Sequence, residues 1–213
     1  MHHTQQDHYT QNTLKISTYE GRSNLCQTKI CQGMTLIELM ISIGITSLLT
    51  TIAIPSFNDF IIQLRVDNEI SRLGRLLLTA RNQAISSGNN VIICPLSDNG
   101  TCSVNWFEQL SVFIDNNGNK QFDISDGEQL ITTKGPSFSG DILTYATNRN
   151  KITYQPTGHL FGLSNGTFRY CPKGHKDKSR AIVVAGSGRF YASTDNNNDG
   201  YDQTRNNKKI SCN

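Results

Sequence analysis

The residues with the clearest chemistry in this chain lie where a polar segment meets an apolar one. Gly33 is followed by Met34 and then by Glu38, and no charged residue occurs from position 39 to position 58. A secretory signal is cleaved after its apolar run, whereas here the small residue comes before it. Inserting an isolated carboxylate at the start of a membrane segment costs roughly 2.5–3.5 kcal/mol of insertion free energy. Glu38 therefore needs a partner or a function.

The uncharged run is long enough to cross a membrane. At a rise of about 1.5 Å per residue, a helix of some twenty residues spans about 30 Å, the thickness of a bilayer core. Serine and threonine lower the hydropathy of this segment, and their hydroxyl groups hydrogen-bond to their own helix or to a neighbouring one. We predict a membrane-spanning segment over 34–55 that closes at Pro55. An ordinary single-span anchor or an uncleaved signal is the alternative.

The spacing of glycine, glutamate and proline resembles the type III signal of type IV prepilins. The resemblance implies that a prepilin peptidase cuts between Gly33 and Met34 and that the new N-terminus is methylated. It also implies that Glu38 pairs with the N-terminal amine of a neighbouring subunit, and that Pro55 is the family's helix-kinking proline. Residues 1–33 are then a removed leader. They are longer and less basic than is usual, so the leader is extended or the true start lies downstream.

A helical period continues past the apolar run. Apolar residues recur every three or four positions as far as Ala84, and the pattern stops at 86–88, where Gly88 can take the left-handed cap. This predicts one helix of about 50 residues, whose amphipathic half over 56–88 must bury its apolar stripe. Arginines fill the other positions as a solvated side, namely Arg65, Arg72, Arg75 and Arg81.

From Val91 onward the sequence changes to short β-rich runs separated by Asn, Gly, Asp and Pro. The runs cover 91–94, 110–114, 142–145, 151–154, 167–170, 181–184 and 189–191. One helix followed by about seven antiparallel strands predicts an α+β fold, with the long N-terminal helix packed on an antiparallel sheet. The globular domain over 89–213 is long enough to bury a core.

A central hairpin narrows the resemblance to one family. Trp106, the segment 112–119 and the segment 123–128 look like the signature of the GspH/FimT family, which comprises minor pilins and pseudopilins. A Gly-Ser-Gly-Arg-Phe segment at 186–190 extends the similarity over nearly the whole mature chain. The resemblance implies the pilin fold.

Cysteine usage supports an oxidising compartment, because four of the six cysteines remain outside the predicted leader. Four cysteines permit three pairings, and the sequence does not choose among them. We favour Cys94 with Cys102, which flank a short turn. We also favour Cys171 with Cys212, which would tie the last strands to the C-terminus.

Metal sites find weak support in the sequence. Oxygen-bearing side chains alternate over 115–126 and again over 195–200, but the common calcium loop has glycine where the first segment has Lys120. We interpret both segments as Asx-rich turns, with calcium as the alternative. Zinc would need cysteines with His159 or His175, and no CxxC spacing exists. We predict no metal and no cofactor.

Charge is distributed unevenly along the chain. Residues 34–148 carry 6 basic and 11 acidic residues, net −5, whereas residues 149–213 carry 11 basic and 4 acidic residues, net +7. A basic surface can neutralise phosphates without reading base sequence. The candidate DNA contacts are Lys173, Lys176, Lys178, Arg180, Arg189, Arg205, Lys208 and Lys209. A solubilising loop, or a face that pairs with an acidic subunit, is the alternative.

Some FimT members bind DNA during natural transformation through a C-terminal Gly-Arg-x-Arg motif. The matching residues here begin at Gly188 and Arg189, but Tyr191 replaces the second arginine. Tyrosine can stack on a base but cannot grip a phosphate with two hydrogen bonds. The difference favours a structural minor pilin over a DNA receptor.

No motif or spacing supports catalysis, so we predict that the chain is not an enzyme. The first hypothesis is a minor pilin that helps initiate and assemble type IV pili, stacking through its N-terminal helix. Its partners would be other minor and major pilins, the prepilin peptidase and the inner-membrane assembly platform. It would sit in the inner membrane with a periplasmic C-terminal domain before assembly, and in the pilus afterwards. The alternatives are a pilus-associated receptor for DNA uptake and a minor pseudopilin of a type II secretion system.

Overall fold

The protein is described by a computed structural model over residues 33–212, except for the side chains of Ile52, Pro55 and Ser56. The predicted leader up to residue 32 therefore lies outside the described residues, and so does the side chain of the predicted kinking proline. Two compact units make up the chain, one ending at Thr46 and the other beginning at Ser47.

The helix α1 spans Leu36–Ser87. The Thr35 hydroxyl accepts a hydrogen bond from the Glu38 N–H at 3.2 Å, and the Thr35 carbonyl accepts one from the Leu39 N–H at 3.1 Å. Threonine at the N-cap with glutamate three residues later is the sequence of a capping box. At the other end, Gly88 has a φ of +69° and donates its N–H to the Ala84 carbonyl. The left-handed glycine cap is therefore at the predicted position.

Eight strands follow the helix and form two sheets. They are β1 Asn90–Pro95, β2 Leu110–Asp115, β3 Leu130–Lys134, β4 Ile142–Tyr145, β5 Ile152–Tyr154, β6 Gly166–Cys171, β7 Arg180–Val184 and β8 Phe190–Ala192. Short 3-10 helices span Ile124–Asp126 and Lys176–Lys178. The first sheet has the order β3-β2-β1-β5 and the second the order β4-β6-β7-β8, and every pairing is antiparallel. The α+β prediction is confirmed, while the sequence analysis missed β3 and the division into two sheets.

The main core lies between α1 and both sheets. Its helix side comes from the second half of α1, where Leu73, Leu77 and Ala80 are fully buried. The sheets contribute alternate residues such as Val112 and Phe168. The amphipathic half of the helix thus buries its stripe on the strands that follow it, as its period predicts.

The other face of the first sheet is covered as well. Ile92, Cys94 and Phe113 form a second buried cluster, against which Leu96 and Phe122 pack. Because loops close over this face, β1 and β2 are buried on both sides, and their burial does not alternate as it does in a half-exposed strand.

In the part of the chain that the structure covers, no helix is both long and apolar enough to qualify as a membrane span. The membrane-spanning segment over 34–55 stays a prediction.

Candidate interaction surfaces

The N-terminal turn of α1 exposes a carboxylate. Glu38 lies in the first turn, where the partial positive charge of the helix N-terminus favours an anion. Within residues 33–212, neither a hydrogen bond nor an ion pair involves its carboxylate, and Gly33, Met34 and Glu38 are all exposed. The capping bond fixes the backbone here and leaves the acid free to meet another molecule.

Large apolar side chains are exposed along the first half of α1. Leu36, Ile43 and Leu48 are 76, 59 and 69% exposed, and Phe57 and Phe60 are 63 and 54% exposed. Exposed apolar runs of this kind mark contacts with protein or membrane. Hydroxyl groups in the same region are satisfied within the helix: Ser42 and Thr46 donate to the carbonyls of Glu38 and Ser42, at 2.7 and 2.9 Å. They therefore place no unpaired polar group on this surface.

Three charged residues of α1 connect the helix to the strand region. Arg65 Nε forms an ion pair with Asp141 Oδ2 at 3.3 Å, and the hydrogen bonds to that carboxylate come from the Tyr170 hydroxyl and the Lys173 N–H. Glu69 Oε1 lies 2.5 Å from Lys134 Nζ, with both side chains at most 5% exposed. This corrects the prediction of a solvated arginine side, because Arg65 meets a buried carboxylate.

The third connection is an ion pair between Asp67 and Arg180, which also lies 3.7 Å from Asp202. Two carboxylates inside the chain therefore occupy Arg180, one of the predicted DNA contacts. Sequence spacing could not reveal this pairing, since Asp67 and Arg180 are 113 residues apart.

Burial shifts the pKa of one lysine and three tyrosines in the core. Burial lowers the pKa of Lys134, and its hydrogen bond to Glu69 works in the opposite direction. Burial also raises the pKa of Tyr145, Tyr154 and Tyr170, and for Tyr170 the hydrogen bond to the Asp141 carboxylate adds to the effect. All four groups lie in the packed part of the fold.

The structure pairs Cys94 with Cys102 and Cys171 with Cys212, the two pairs that the sequence analysis favours. The second bond joins β6 to the C-terminal tail. Two isolated β-bridges, from Thr194 to Gln203 and from Gln203 to Lys209, hold the tail further. Ile210 is 7% exposed, so the tail is packed down on the second sheet and carries its basic residues with it.

The predicted DNA contacts fall into separate groups. Lys173 and Lys176 line a pocket of about 240 Å³ beside Ile210 and Cys212. Lys208 and Lys209 line another with Arg169, a basic residue that the candidate set omitted. The C-terminal segment therefore has lysines on both sides.

Several of the remaining candidates already have partners inside the chain. Lys178 Nζ lies 3.5 Å from Asp177, and Lys209 Nζ lies 2.9 Å from Asp199. The hydrogen bond from Lys209 lowers the pKa of the Asp199 carboxyl. These lysines carry less free charge toward an outside ligand than the sequence suggests.

Tyr191, which stands where the motif has its second arginine, is covered by a cation from the tail. The Arg205 guanidinium lies 4.0 Å from the centre of the Tyr191 ring. Arg189 is exposed and immediately precedes β8. One face of the Tyr191 ring is thus occupied, and a positive charge from a distant part of the chain lies beside it.

The two Asx-rich segments form turns. Oxygens of Asn117 and Asn119 accept backbone N–H groups two residues on, at 2.9 and 2.7 Å. Hydrogen bonds from Ser125 hold the pKa of the Asp123 carboxyl below its usual value. In the second segment, Asp195 accepts from the N–H of Gly200 at 2.8 Å. Within the described ranges, no cluster of three His, Cys, Asp or Glu residues is placed to hold a metal ion.

Comparison with known families identifies the chain. The model for type II transport protein GspH matches residues 69–188, and the model for the prokaryotic N-terminal methylation motif matches residues 28–54. The chain belongs to the GspH family. Membership together with the methylation motif makes it a minor pilin or a pseudopilin, which confirms the family predicted from the Trp106 and 112–128 signature.

Relatives of this GspH-family chain include a fimbrial protein of Pseudomonas aeruginosa, 29% identical over 142 residues that cover 61% of this chain and 90% of the relative. Among solved structures, the type IV minor pilin FimU of Pseudomonas aeruginosa shares 18% identity at a TM-score of 0.47, over 62% of this chain and 87% of FimU. The minor pseudopilin EpsH of Vibrio cholerae shares 16% identity at a TM-score of 0.40, over 58% of this chain and 94% of EpsH.

Proposed function

We propose that this chain is a minor pilin that helps initiate and assemble type IV pili by stacking through the first half of α1. The observation that carries the proposal is the exposed apolar surface of that half, on which Glu38 is the one charged residue between positions 34 and 58. A carboxylate surrounded by apolar side chains favours a cationic partner that reaches the same apolar environment. The N-terminal amine of a neighbouring subunit fits that requirement.

Processing belongs to the same proposal. Gly33 and Met34 precede the helix and are exposed, so the bond between them is accessible to a peptidase. Cleavage there would place the new amine close to Glu38. Before assembly the chain would be held in the inner membrane through 34–55, with Pro55 as the kink, and its C-terminal domain would face the periplasm. The chain would have no catalytic role of its own.

A clean deletion, scored for sheared surface pili and for secreted type II substrates, tests the proposal. We expect fewer pili with normal secretion, and restoration by the intact gene. A secretion defect with normal piliation would instead identify a minor pseudopilin, which is the second candidate because the matching family model is that of a type II transport protein.

DNA binding is a further candidate, and the observation that favours it is the clustering of Lys173, Lys176, Arg169 and Lys208 on both sides of the C-terminal segment. None of these four side chains has an ion-pair partner within residues 33–212. Scoring natural transformation in the same deletion strain tests this role.

A further inference from the structure

A groove runs along the outer edge of β4. It has a volume of about 720 Å³ and lies between β4 and the loop at 104–107. Val104, Phe107 and Ile142 line it and are 64, 51 and 47% exposed. Trp106 forms a buried wall and donates its indole N–H to the Arg149 carbonyl at 2.7 Å. The groove is open, has a mixed lining of apolar and polar side chains, and is built on a buried aromatic side chain.

The edge of β4 is unpaired along this groove. β4 is the last strand of its sheet and pairs only with β6. In the described part of the chain, no backbone hydrogen bond joins β4 to the loop at 104–107. The strand has the sequence Ile-Leu-Thr-Tyr, without charge, proline or bulge. Unpaired N–H and carbonyl groups on such an edge are a template for another strand.

The other three sheet edges are protected. β3 carries a bulge at Ile131, since Val112 pairs with Thr132 and Phe113 with Leu130. The outer edge of β5 is bonded to the following loop, where the Phe161 N–H donates to Thr153 at 2.8 Å. β8 has only three residues. Because bulges, covering loops and short strands all discourage edge pairing, β4 is the edge best suited to accept a strand.

The charge of the groove selects the kind of strand. Arg149 follows β4, and Arg169 on β6 lies opposite Thr144. Across residues 33–212, neither arginine has a carboxylate within ion-pair distance. Asp141 also lines the groove, but Arg65 and Tyr170 occupy its carboxylate. An antiparallel strand on β4 would begin beside Arg149, so a carboxylate near its N-terminal end would complement the groove.

We propose that β4 accepts an extended strand from a different pilin-like subunit next to this one in the filament, and that this strand carries one or more carboxylates at its N-terminal end. Main-chain hydrogen bonds to β4 supply the contact, and Arg149 supplies the selectivity. The identity of the neighbour rests on the proposed function, whereas the pairing and its charge preference rest on the groove.

The sole tryptophan of the chain reports on the groove, since it is Trp106. The probe is a nine-residue peptide with blocked ends, two aspartates followed by alternating threonine and valine, titrated into the full-length protein in detergent. The control peptide has lysines for aspartates. We expect a saturable change in tryptophan emission and tighter binding of the acidic peptide by about 2–5-fold, the range that exposed ion pairs supply.

Arg149→Glu should reverse that preference, because it inverts the charge while the carbonyl that binds Trp106 belongs to the backbone. Arg75→Glu, at an exposed arginine of α1 outside the groove, is the matched control and should leave the preference unchanged. Equal thermal midpoints show that both variants fold. Absence of binding, or a preference that Arg149→Glu does not alter, overturns the proposal.

A photo-cross-linking amino acid at Ile142 in piliated cells tests the neighbour, with Thr133 on β3 as the control position. We expect a cross-link from position 142 to another pilin-like subunit, identified by mass spectrometry. A cross-link only to a second copy of this chain, or none, contradicts the assigned neighbour. These outcomes are separable from the proposed function: a deletion that leaves piliation normal rejects the minor-pilin role, but it does not change the peptide result.

Discussion

Lys134 Nζ lies 2.5 Å from Glu69 Oε1 at the packed centre of the fold, with both side chains at most 5% exposed. The Ser137 hydroxyl donates to the same oxygen at 2.7 Å, and Arg72 lies 3.6 Å from the other oxygen. The pair joins the helix to β3, the strand that the sequence analysis missed. Desolvation makes such a pair costly to form, and removing Lys134 leaves the buried Glu69 carboxylate without its shortest ion-pair contact, with only Arg72 and Ser137 beside it.

Lys134→Met should therefore destabilise the protein by about 3–5 kcal/mol, because Glu69 would remain charged in a buried site. Glu69→Met with Lys134→Met should recover most of that loss, since neither charge is then present. Denaturant unfolding of the purified protein measures both effects. Lys208→Met, at an exposed lysine, is the control, and a single Lys134 variant no worse than this control would contradict the importance of the pair.

The sequence predicts the helix and strands of the fold better than the long-range side-chain contacts between them. The period of apolar residues locates α1 and seven strands, because local side-chain spacing determines which face is buried. Long-range ion pairs have no such local signature in the sequence. From the sequence alone we would interpret the charges of the Arg65–Asp141 and Asp67–Arg180 pairs as ordinary surface charges. The N-cap at Thr35, which accepts from the Glu38 N–H, could by contrast have been found from the spacing of threonine and glutamate alone.

The basic C-terminal region illustrates the same limit. Counting lysines and arginines predicts a single positive surface, but Asp67 engages Arg180, Asp199 engages Lys209, and the adjacent Asp177 engages Lys178. What distinguishes Lys173 and Lys176 is their position beside the tail, which the Cys171–Cys212 bond fixes. Neither composition nor spacing contains that information.

Stability should fall as pH rises above about 10. The unfolded pKa of tyrosine is 10.0, and Tyr145, Tyr154 and Tyr170 have folded pKa values above it. Above pH 10 the unfolded chain loses protons that the folded chain keeps, so each tyrosine removes about 1.4 kcal/mol per pH unit. Lys134 and Lys151 act in the opposite direction, because burial lowers the folded pKa of both and they favour folding as pH rises toward 10.5.

Three tyrosines outweigh two lysines, so the net slope is negative above pH 10. Denaturant unfolding between pH 8 and pH 11.5 measures it. Tyr145→Phe should make the decline in the free energy of unfolding shallower by about 1.4 kcal/mol per pH unit. The hydrogen bond from Tyr145 to the Ser164 carbonyl is lost at every pH and does not change the slope. A free energy of unfolding that stays constant up to pH 11 would contradict the role assigned to burial.

Processing should produce a mature chain that begins at Met34, with a methylated amine. The polar segment and the apolar run meet there, and the helix begins two residues later, at Leu36. Gly33→Ala keeps a small residue, whereas Gly33→Leu should leave the full-length precursor. Mass spectrometry of the membrane-extracted protein decides the point, and an N-terminus elsewhere would count against the prepilin interpretation.

Glu38→Val should insert into the membrane normally and fail to enter pili. Removing a charge from an apolar segment makes insertion easier, so lost assembly could not be blamed on insertion. Immunoblots of the membrane fraction and of sheared pili separate the two steps. Asp98→Val, at an exposed acid in the strand region, is the control for loss of a carboxylate. Equal amounts of the Glu38 variant and wild type in sheared pili would refute the pairing role.

If the C-terminal face binds nucleic acid, the purified protein should bind duplex DNA weakly and without sequence preference. Affinity should fall steeply with salt, since each neutralised phosphate releases roughly 0.9 counterion. Lys173→Ala with Lys176→Ala should flatten the slope of log affinity against log salt by nearly two, at about 0.9 for each lost contact. Lys178→Ala, at a lysine already beside Asp177, should change the slope less.

Tyr191→Arg should strengthen DNA binding, because an arginine can bind a phosphate with two hydrogen bonds and the tyrosine ring under Arg205 cannot. A titration at low salt in which neither wild type nor Tyr191→Arg binds would eliminate the DNA role and leave the structural one.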